Sequence, residues 1–379
     1  MVIGISSAEL FSPSSSIRER VTLAMVYALQ KADKTNRYII FSKYARPEGL
    51  SLAENFSFRL ISTLGNVVGD QIILPRVLKK SGCDVLLNMG FTGPLNLQIP
   101  HLYMFPSFWG RFLWDKLYGV VEYRGDRQSF YRRFVSKRLI FASTKLILSS
   151  HYEKENLVQR YWPEIDAKRL SVVQAGITSN AGVPEVNRQF EKLAEIHGLP
   201  EHFILTFDDN NPLSNIATVL LGYKRMVDVL MVKTPLVMVG AKREMVQSVV
   251  GEEWLAKHSE KVFMVNKLKE SEKSTLFVGA LAYIAPSFYD KWCLDILDAI
   301  SFGVPIVTSI QSSLAEVANG AAILVDPKNE IEISEACRRI LIDKKCLQGL
   351  TKKGLERATV YQWQNTAQKL LSLLEQYQK

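Results

Sequence analysis

Short apolar runs alternate along this chain with longer stretches in which apolar residues recur every three or four positions. Residues 2–5, 37–42, 84–89, 101–105, 146–151 and 170–174 read as strands, and most are separated by segments long enough for a crossover. A second series of strands follows at 203–207, 236–239, 261–265, 281–285 and 304–308. Between the strands the helical period predicts helices at 17–31, where Val21, Leu23, Ala24, Tyr27, Ala28 and Leu29 form a stripe, and at 152–161, 185–197, 271–279 and 294–301. Three more helices, 331–342, 344–358 and 365–378, close the chain. This alternation predicts parallel sheets with helices on both faces, an α/β fold. A chain of 379 residues exceeds one ordinary core, so two such domains are expected.

Residues 283–327 organise the rest. The apolar run 281–285 reads as a buried strand that stops at Pro286, so the polar loop after it opens at a strand's C-terminal end, where open α/β sheets bind ligands. The loop leads into helix 294–301, whose N-terminal amides face that crevice, and Gly303 and Pro305 end the helix. Asp290 precedes the helix and Asp298 lies about a turn inside it, eight positions apart. Two carboxylates so placed can accept hydrogen bonds from the hydroxyls of one elongated, sugar-like ligand. The same spacing is also common on solvated surfaces.

The order of short motifs here, Pro286-Ser287-x-Tyr289-Asp290, Gly303-Val304-Pro305-Ile306-Val307, Ser312-x-Leu314-x-Glu316-Val317 and Ala322-x-Leu324-Val325-Asp326-Pro327, resembles the donor-site half of retaining, nucleotide-sugar-dependent glycosyltransferases of the GT-B fold, family four (glycosyltransferase group 1). The resemblance implies two Rossmann-like doubly wound domains facing a cleft. It places an acceptor-side domain at 1–180, a linker at 181–202, a nucleotide-sugar domain at 203–360 and a helix at 361–379 that crosses back to the first domain. It makes Asp290 the acid on the transferred sugar and Asp298 the acid on the ribose. Lys291, Trp292, Cys293 and Leu294 then form the donor loop, with Lys291-Trp292-Cys293 standing where the family has Gly-Phe-Gly. The family's phosphate-binding Arg-Lys-Asn becomes Leu213-Ser214-Asn215, and Asp208 and Asp209 add negative charge beside it. Gly240 turns the chain after the next strand. Lys242, Arg243 and Lys291 are the cations to set against this loss, and each also fits a solvated surface charge. Glu316 matches a family residue near the donor phosphates and equally fits a capping arrangement with Ser312.

On the acceptor side the implied positions are Gly90, in the tight turn with Gly93 and Pro94, Ser107, where the family often has a polar His-Asp pair, and Ser15. Ser14, Ser15 and Ser16 stand where the family has a glycine-rich turn and also suit a helix cap. Two functional readings follow. One is sugar transfer with retention to a saccharide or lipid-linked acceptor in envelope polysaccharide or glycolipid synthesis, with no cofactor or metal required and the donor's base unidentified. The other is a relative without catalysis that binds or stabilises a partner.

Composition narrows the partners. A net charge of +9 favours an anionic one: nucleotide phosphate, an anionic membrane surface or nucleic acid. Residues 109–145 are basic and aromatic together, with Arg111, Lys116, Arg124, Arg127, Arg132, Arg133, Lys137, Arg138 and Lys145 among Phe112, Trp114, Tyr118, Tyr123, Phe130, Tyr131 and Phe134. This suits peripheral contact with anionic lipid, or core aromatics beneath a solvated basic face. No helix-turn-helix, zinc-finger or RNA-recognition signature is present, so no nucleic-acid partner is expected. Cys83, Cys293, Cys337 and Cys346 are too scattered for a zinc site or disulfide framework. The N-terminus reads as a first strand rather than a signal peptide, and no run approaches the ~18 apolar residues of a spanning helix. A cytoplasmic protein, placed at the inner face of the cytoplasmic membrane where it meets lipid, is the expectation.

Overall fold

The computed structural model describes the chain except residues 8–9, 11–16, 47–50, 62–65, 119–129, 179–183, 210, 267 and 379, and the side chains of 17–18, 66, 117–118 and 270–271. It divides into two compact units, Met1–Gly176 with Gln362–Lys379, and Ile177–Tyr361.

In the first unit a seven-stranded parallel sheet is built from β1 (Val2–Ser6), β2 (Arg37–Ser42), β3 (Phe56–Leu60), β4 (Val85–Asn88), β5 (His101–Met104), β6 (Lys145–Leu148) and β7 (Leu170–Val172), in the order β3-β2-β1-β4-β5-β6-β7. Its central strands are apolar almost throughout because helices cover both faces. Ile5 lies opposite Ile40 on one side and Leu87 on the other, all nearly inaccessible. Strand β3 is the exception: at the sheet edge it alternates Phe56, Phe58 and Leu60 with Ser57 and Arg59 instead of running apolar throughout. The helix Trp363–Glu375 packs on the helix Ile17–Ala32. The Thr366 hydroxyl donates to the Gln174 carbonyl at 2.9 Å, and a Cβ on Gly176 would stand 2.3 Å from the Trp363 nitrogen, so only glycine fits there. The serine cap expected at 14–16 lies outside the described residues. Helix 152–161 is wider than expected: Glu153–Val158 winds with i to i+5 bonds, while the buried Glu153 carboxylate accepts from the Ser149 amide and hydroxyl at 2.8 and 2.9 Å.

The second unit holds a six-stranded parallel sheet of β8 (Phe203–Phe207), β9 (Leu236–Val239), β10 (Val262–Val265), β11 (Ala280–Ala285), β12 (Ile306–Ser309) and β13 (Ala322–Val325), ordered β10-β9-β8-β11-β12-β13. The helices Ile216–Asp228 and Glu330–Ile342 pack together on it through Val219, Leu220, Tyr223, Ile333, Cys337 and Ile340. Two local expectations are corrected, and a third, the helix at 185–197, is present. Leu281, read as buried, is exposed, because the pairing of β11 with β8 shifts register between Ala280 and Ala282 and leaves Leu281 out of the ladder, while Ala282 to Ile284 are covered. The stretch 271–279 is not one α-helix: Glu270–Lys273 tightens into a 3₁₀ turn at Ser274–Val278, where Thr275, Leu276 and Phe277 are buried in succession and the Thr275 hydroxyl returns to the Glu272 carbonyl at 2.8 Å. The helical stretch 185–197 is the helix Pro184–His197 of this unit, its Phe190 ring 6.2 Å from that of Phe203.

In both sheets the strand order reverses once, between β1 and β4 and between β8 and β11. Such a switch point leaves a crevice at the strands' C-terminal ends, because the loops on either side turn opposite ways.

Candidate functional site

Two loops bound the crevice of the second unit, 208–215 after β8 and 286–293 after β11. Asn215 joins them. In a left-handed conformation, φ 60°, it donates from Nδ2 to the carbonyls of Pro286, at 3.0 Å, and Pro327, at 2.6 Å, and accepts from the Thr218 hydroxyl at 2.7 Å. The Phe288 amide adds a bond of 2.8 Å to the Leu213 carbonyl. At the positions where the resemblance places phosphate-binding cations, Leu213 is wholly buried and the Ser214 hydroxyl closes its own turn on the Asn211 carbonyl at 2.6 Å.

Asp290 shapes the second loop. One carboxylate oxygen, Oδ1, accepts from the amides of Trp292 and Cys293, both at 3.1 Å. Cys293 is buried with φ 51°, so the backbone keeps the left-handed form at a position where the family has glycine. That conformation costs a non-glycine residue about 1–2 kcal/mol, which the two amide bonds offset. Lys291 and Trp292 are both nearly inaccessible, the ammonium 4.8 Å from the ring centroid, and Leu294 begins the helix Leu294–Ser301.

Asp298, one turn into that helix, is 3% exposed, whereas Asp290 is half-buried. The fully buried Tyr283 phenol has its ionisation pushed well above the ordinary tyrosine range, first by burial and then by the charges of Asp295, Asp209, Asp290 and Asp298. Beneath lie Phe207 and Phe277, each 5.3 Å from Tyr283 by ring centroid. Lys273 enters among these acids with Nζ 3.7 Å from both Asp209 and Asp295.

Asp290, Lys291, Trp292, Cys293, Leu294, Asp298, Ser214 and Asn215 therefore belong to one loop cluster. Gly240, φ 85°, joins it from β9: a Cβ there would meet the Asp208 carbonyl at 2.3 Å. Lys242 and Arg243 are exposed at the start of the next helix. Glu316 is half-buried in the helix Ser313–Ala318, where the Ser312 hydroxyl caps by accepting from the Leu314 amide at 3.2 Å and the Glu316 carbonyl accepts from Arg357 at 2.9 Å. In the first unit the Gly90 amide donates to Asn88 Oδ1 at 3.0 Å, Ser107 starts the helix Ser107–Tyr118, and Ser15 lies outside the described residues. Lys273 and Asp295 belong to no motif, and only the sheet order brings them in. Among the described residues no group of three or more His, Cys, Asp and Glu is placed to hold a metal, and no helix is long and apolar enough to cross a membrane.

Comparison with known proteins agrees with this geometry. Residues 211–357 match the family described as glycosyl transferases group 1. The O-antigen chain mannosyltransferase B of Escherichia coli is 26% identical over 232 residues, covering 59% of this chain and 58% of the relative, so the match spans little more than half of that protein. Among solved structures, sucrose-phosphate synthase from Thermosynechococcus elongatus superposes with a TM-score of 0.72 at 15% identity, over 99% of this chain and 98% of the other. Anabaena HepE in complex with UDP-glucose gives 0.70 at 11% identity, over 99% and 100%. At such identities the structural likeness establishes the fold: two parallel-sheet, Rossmann-like units of the GT-B type.

Proposed function

We propose that this chain, whose residues 211–357 match the family of group 1 glycosyl transferases, moves a sugar from a nucleotide-sugar donor to a saccharide or lipid-linked acceptor with retention at the anomeric carbon. The observation that carries the reading is that Asp290, in the loop before the helix Leu294–Ser301, and the buried Asp298, inside that helix, both lie on the strand-loop-helix unit beside the β8/β11 switch point. Asp290 holds hydroxyls of the transferred sugar and Asp298 those of the ribose. The departing diphosphate gains from the helix's N-terminal dipole, equivalent to roughly half a positive charge. The acceptor hydroxyl attacks from the leaving-group side. A relative named as a mannosyltransferase makes mannose the first sugar to try. Envelope polysaccharide or glycolipid synthesis is the setting.

A panel of nucleoside diphosphates and nucleotide sugars tests this by thermal shift. A ligand at about 100 times its dissociation constant stabilises by about 2.7 kcal/mol, which is roughly 5–10 °C for a unit of this size. Silence across the whole panel, with an active glycosyltransferase copurifying, sinks the reading in favour of a non-catalytic partner.

Contact with an anionic membrane is part of the same proposal. The helix Phe130–Ala142 contains no acid and presents Phe130, Arg133, Phe134, Lys137 and Arg138 on one exposed face. Phe130 is 84% exposed, its ring stacks on Phe134 at 6.1 Å, and Arg138 sits 5.2 Å from the Phe134 centroid. Apolar rings beside cations of one sign suit an anionic lipid interface. The protein is expected to cosediment with vesicles containing anionic lipid and not with neutral ones, and Phe130→Ser with Phe134→Ser to release most of it. Equal sedimentation of that double variant overturns the assignment of this face.

A further inference from the structure

The loop after β8 offers a donor diphosphate no cation: Leu213 is buried and Ser214 closes its own turn. The crevice is moreover acidic, with Asp209, Asp290, Asp295 and Asp298 about Tyr283. Some positive charge must stand there for a diphosphate to enter, since like charges a few ångströms apart repel by several kcal/mol at the edge of a protein.

We infer that Lys273 supplies it, reaching from the segment between β10 and β11 to the place the β8 loop leaves without a cation. This rests on the donor reading above. The stem of Lys273 is held, its ammonium 4.6 Å from the Phe207 ring centroid and its side chain only 9% exposed. Asp209 and Asp295 approach it from the two sides of the switch point: Asp209 lies in the loop after β8, and Asp295 in the first turn of the helix after the β11 loop. The ammonium therefore stands between the loops, at the N-terminus of the helix whose dipole the diphosphate meets. Both contacts are 3.7 Å, longer than a normal charge-assisted hydrogen bond. Asp209 is 51% exposed and well solvated, so phosphate oxygens can take over its share of the ammonium at small cost. A lysine suits the task as a compact charge with three donors free to rotate. Lys291, the other buried ammonium of the cluster, lies on Trp292, and Lys242 and Arg243 are out on the surface.

The test titrates the full-length protein with UDP, GDP and ADP, and with uridine, guanosine and adenosine. Lys273→Met is expected to weaken binding of the preferred diphosphate about 10–100-fold while its nucleoside changes by less than about threefold. Lys273→Arg should recover most of the loss, and Asp209→Asn should bind the diphosphate at least as tightly as the parent. Because Lys273→Met leaves two acids without their cation, the double variant Lys273→Met with Asp295→Asn, which keeps the net charge, is tested beside it and is expected to show the same selective loss. If the parent binds a diphosphate and both Met variants bind it equally well, or lose nucleoside and diphosphate in parallel, Lys273 is only an internal counter-ion and the inference fails while the donor reading stands. A parent that binds no diphosphate overturns both.

Discussion

Asp298→Ala is expected to abolish the thermal response to nucleotide sugars at concentrations that shift the parent, and to lower kcat/KM by roughly 10–100-fold. A buried carboxylate accepting from ribose hydroxyls contributes about 1.5–3 kcal/mol, and its loss falls on affinity more than on turnover, since the ribose is remote from the bond that breaks. Asp298 is 3% exposed and shares the surroundings of Tyr283 with three other acids. Removing one negative charge there relieves repulsion, so the unliganded variant should melt within a few degrees of the parent. Calorimetry with and without ligand separates the outcomes: a variant that melts much lower yet keeps the full ligand response makes Asp298 a structural residue and removes it from the donor site.

Asn215→Ala is expected to cost about 3–7 kcal/mol of the second unit's stability. The buried carbonyls of Pro286 and Pro327 lose their shared donor at about 1–3 kcal/mol each, and alanine at φ 60° adds about 1 kcal/mol. Asn215→Gly should recover only the backbone part. Asn215→Asp should be about as harmful as alanine, since it sets an acceptor against two carbonyls. Urea unfolding of the three variants measures this, and a loss below about 1 kcal/mol for alanine would show that the loops after β8, β11 and β13 are held by other means.

Asn215 also marks where reading the sequence stops. Its candidacy came from a motif position, as a ligand-side residue, but its side chain is spent on clamping three loops, which no spacing along the chain announces. The strands of both sheets were legible, except the edge strands β3 and Ala322–Val325, because parallel strands covered on both faces must be continuous apolar runs. The edge strand Phe56–Leu60 was not, since one polar side suffices at an edge. Neither was the helix Ile216–Asp228, interrupted by Gly222, whose missing side chain makes sense only once a Cβ there is seen to lie 3.1 Å from Ile333 of the facing helix. That Asp290 precedes the helix and Asp298 lies inside it was legible, because strand, loop and helix are consecutive along the chain. Lys273 was not: it lies in a short polar segment that any surface could carry, and its partners come from two other parts of the chain.

By itself the sequence determined the alternation of strands and helices, the two-sheet α/β class and the strand-loop-helix unit that carries the acids, because these rest on periodicity and backbone preference over a few consecutive residues. Only the tertiary structure decided which loops meet at β8 and β11, that Cys293 holds a glycine's conformation through Asp290, and that a lysine from beyond β10 stands against Asp209 and Asp295. Those outcomes follow from strand order and close packing, where the free energy of a side chain depends on neighbours far away along the chain.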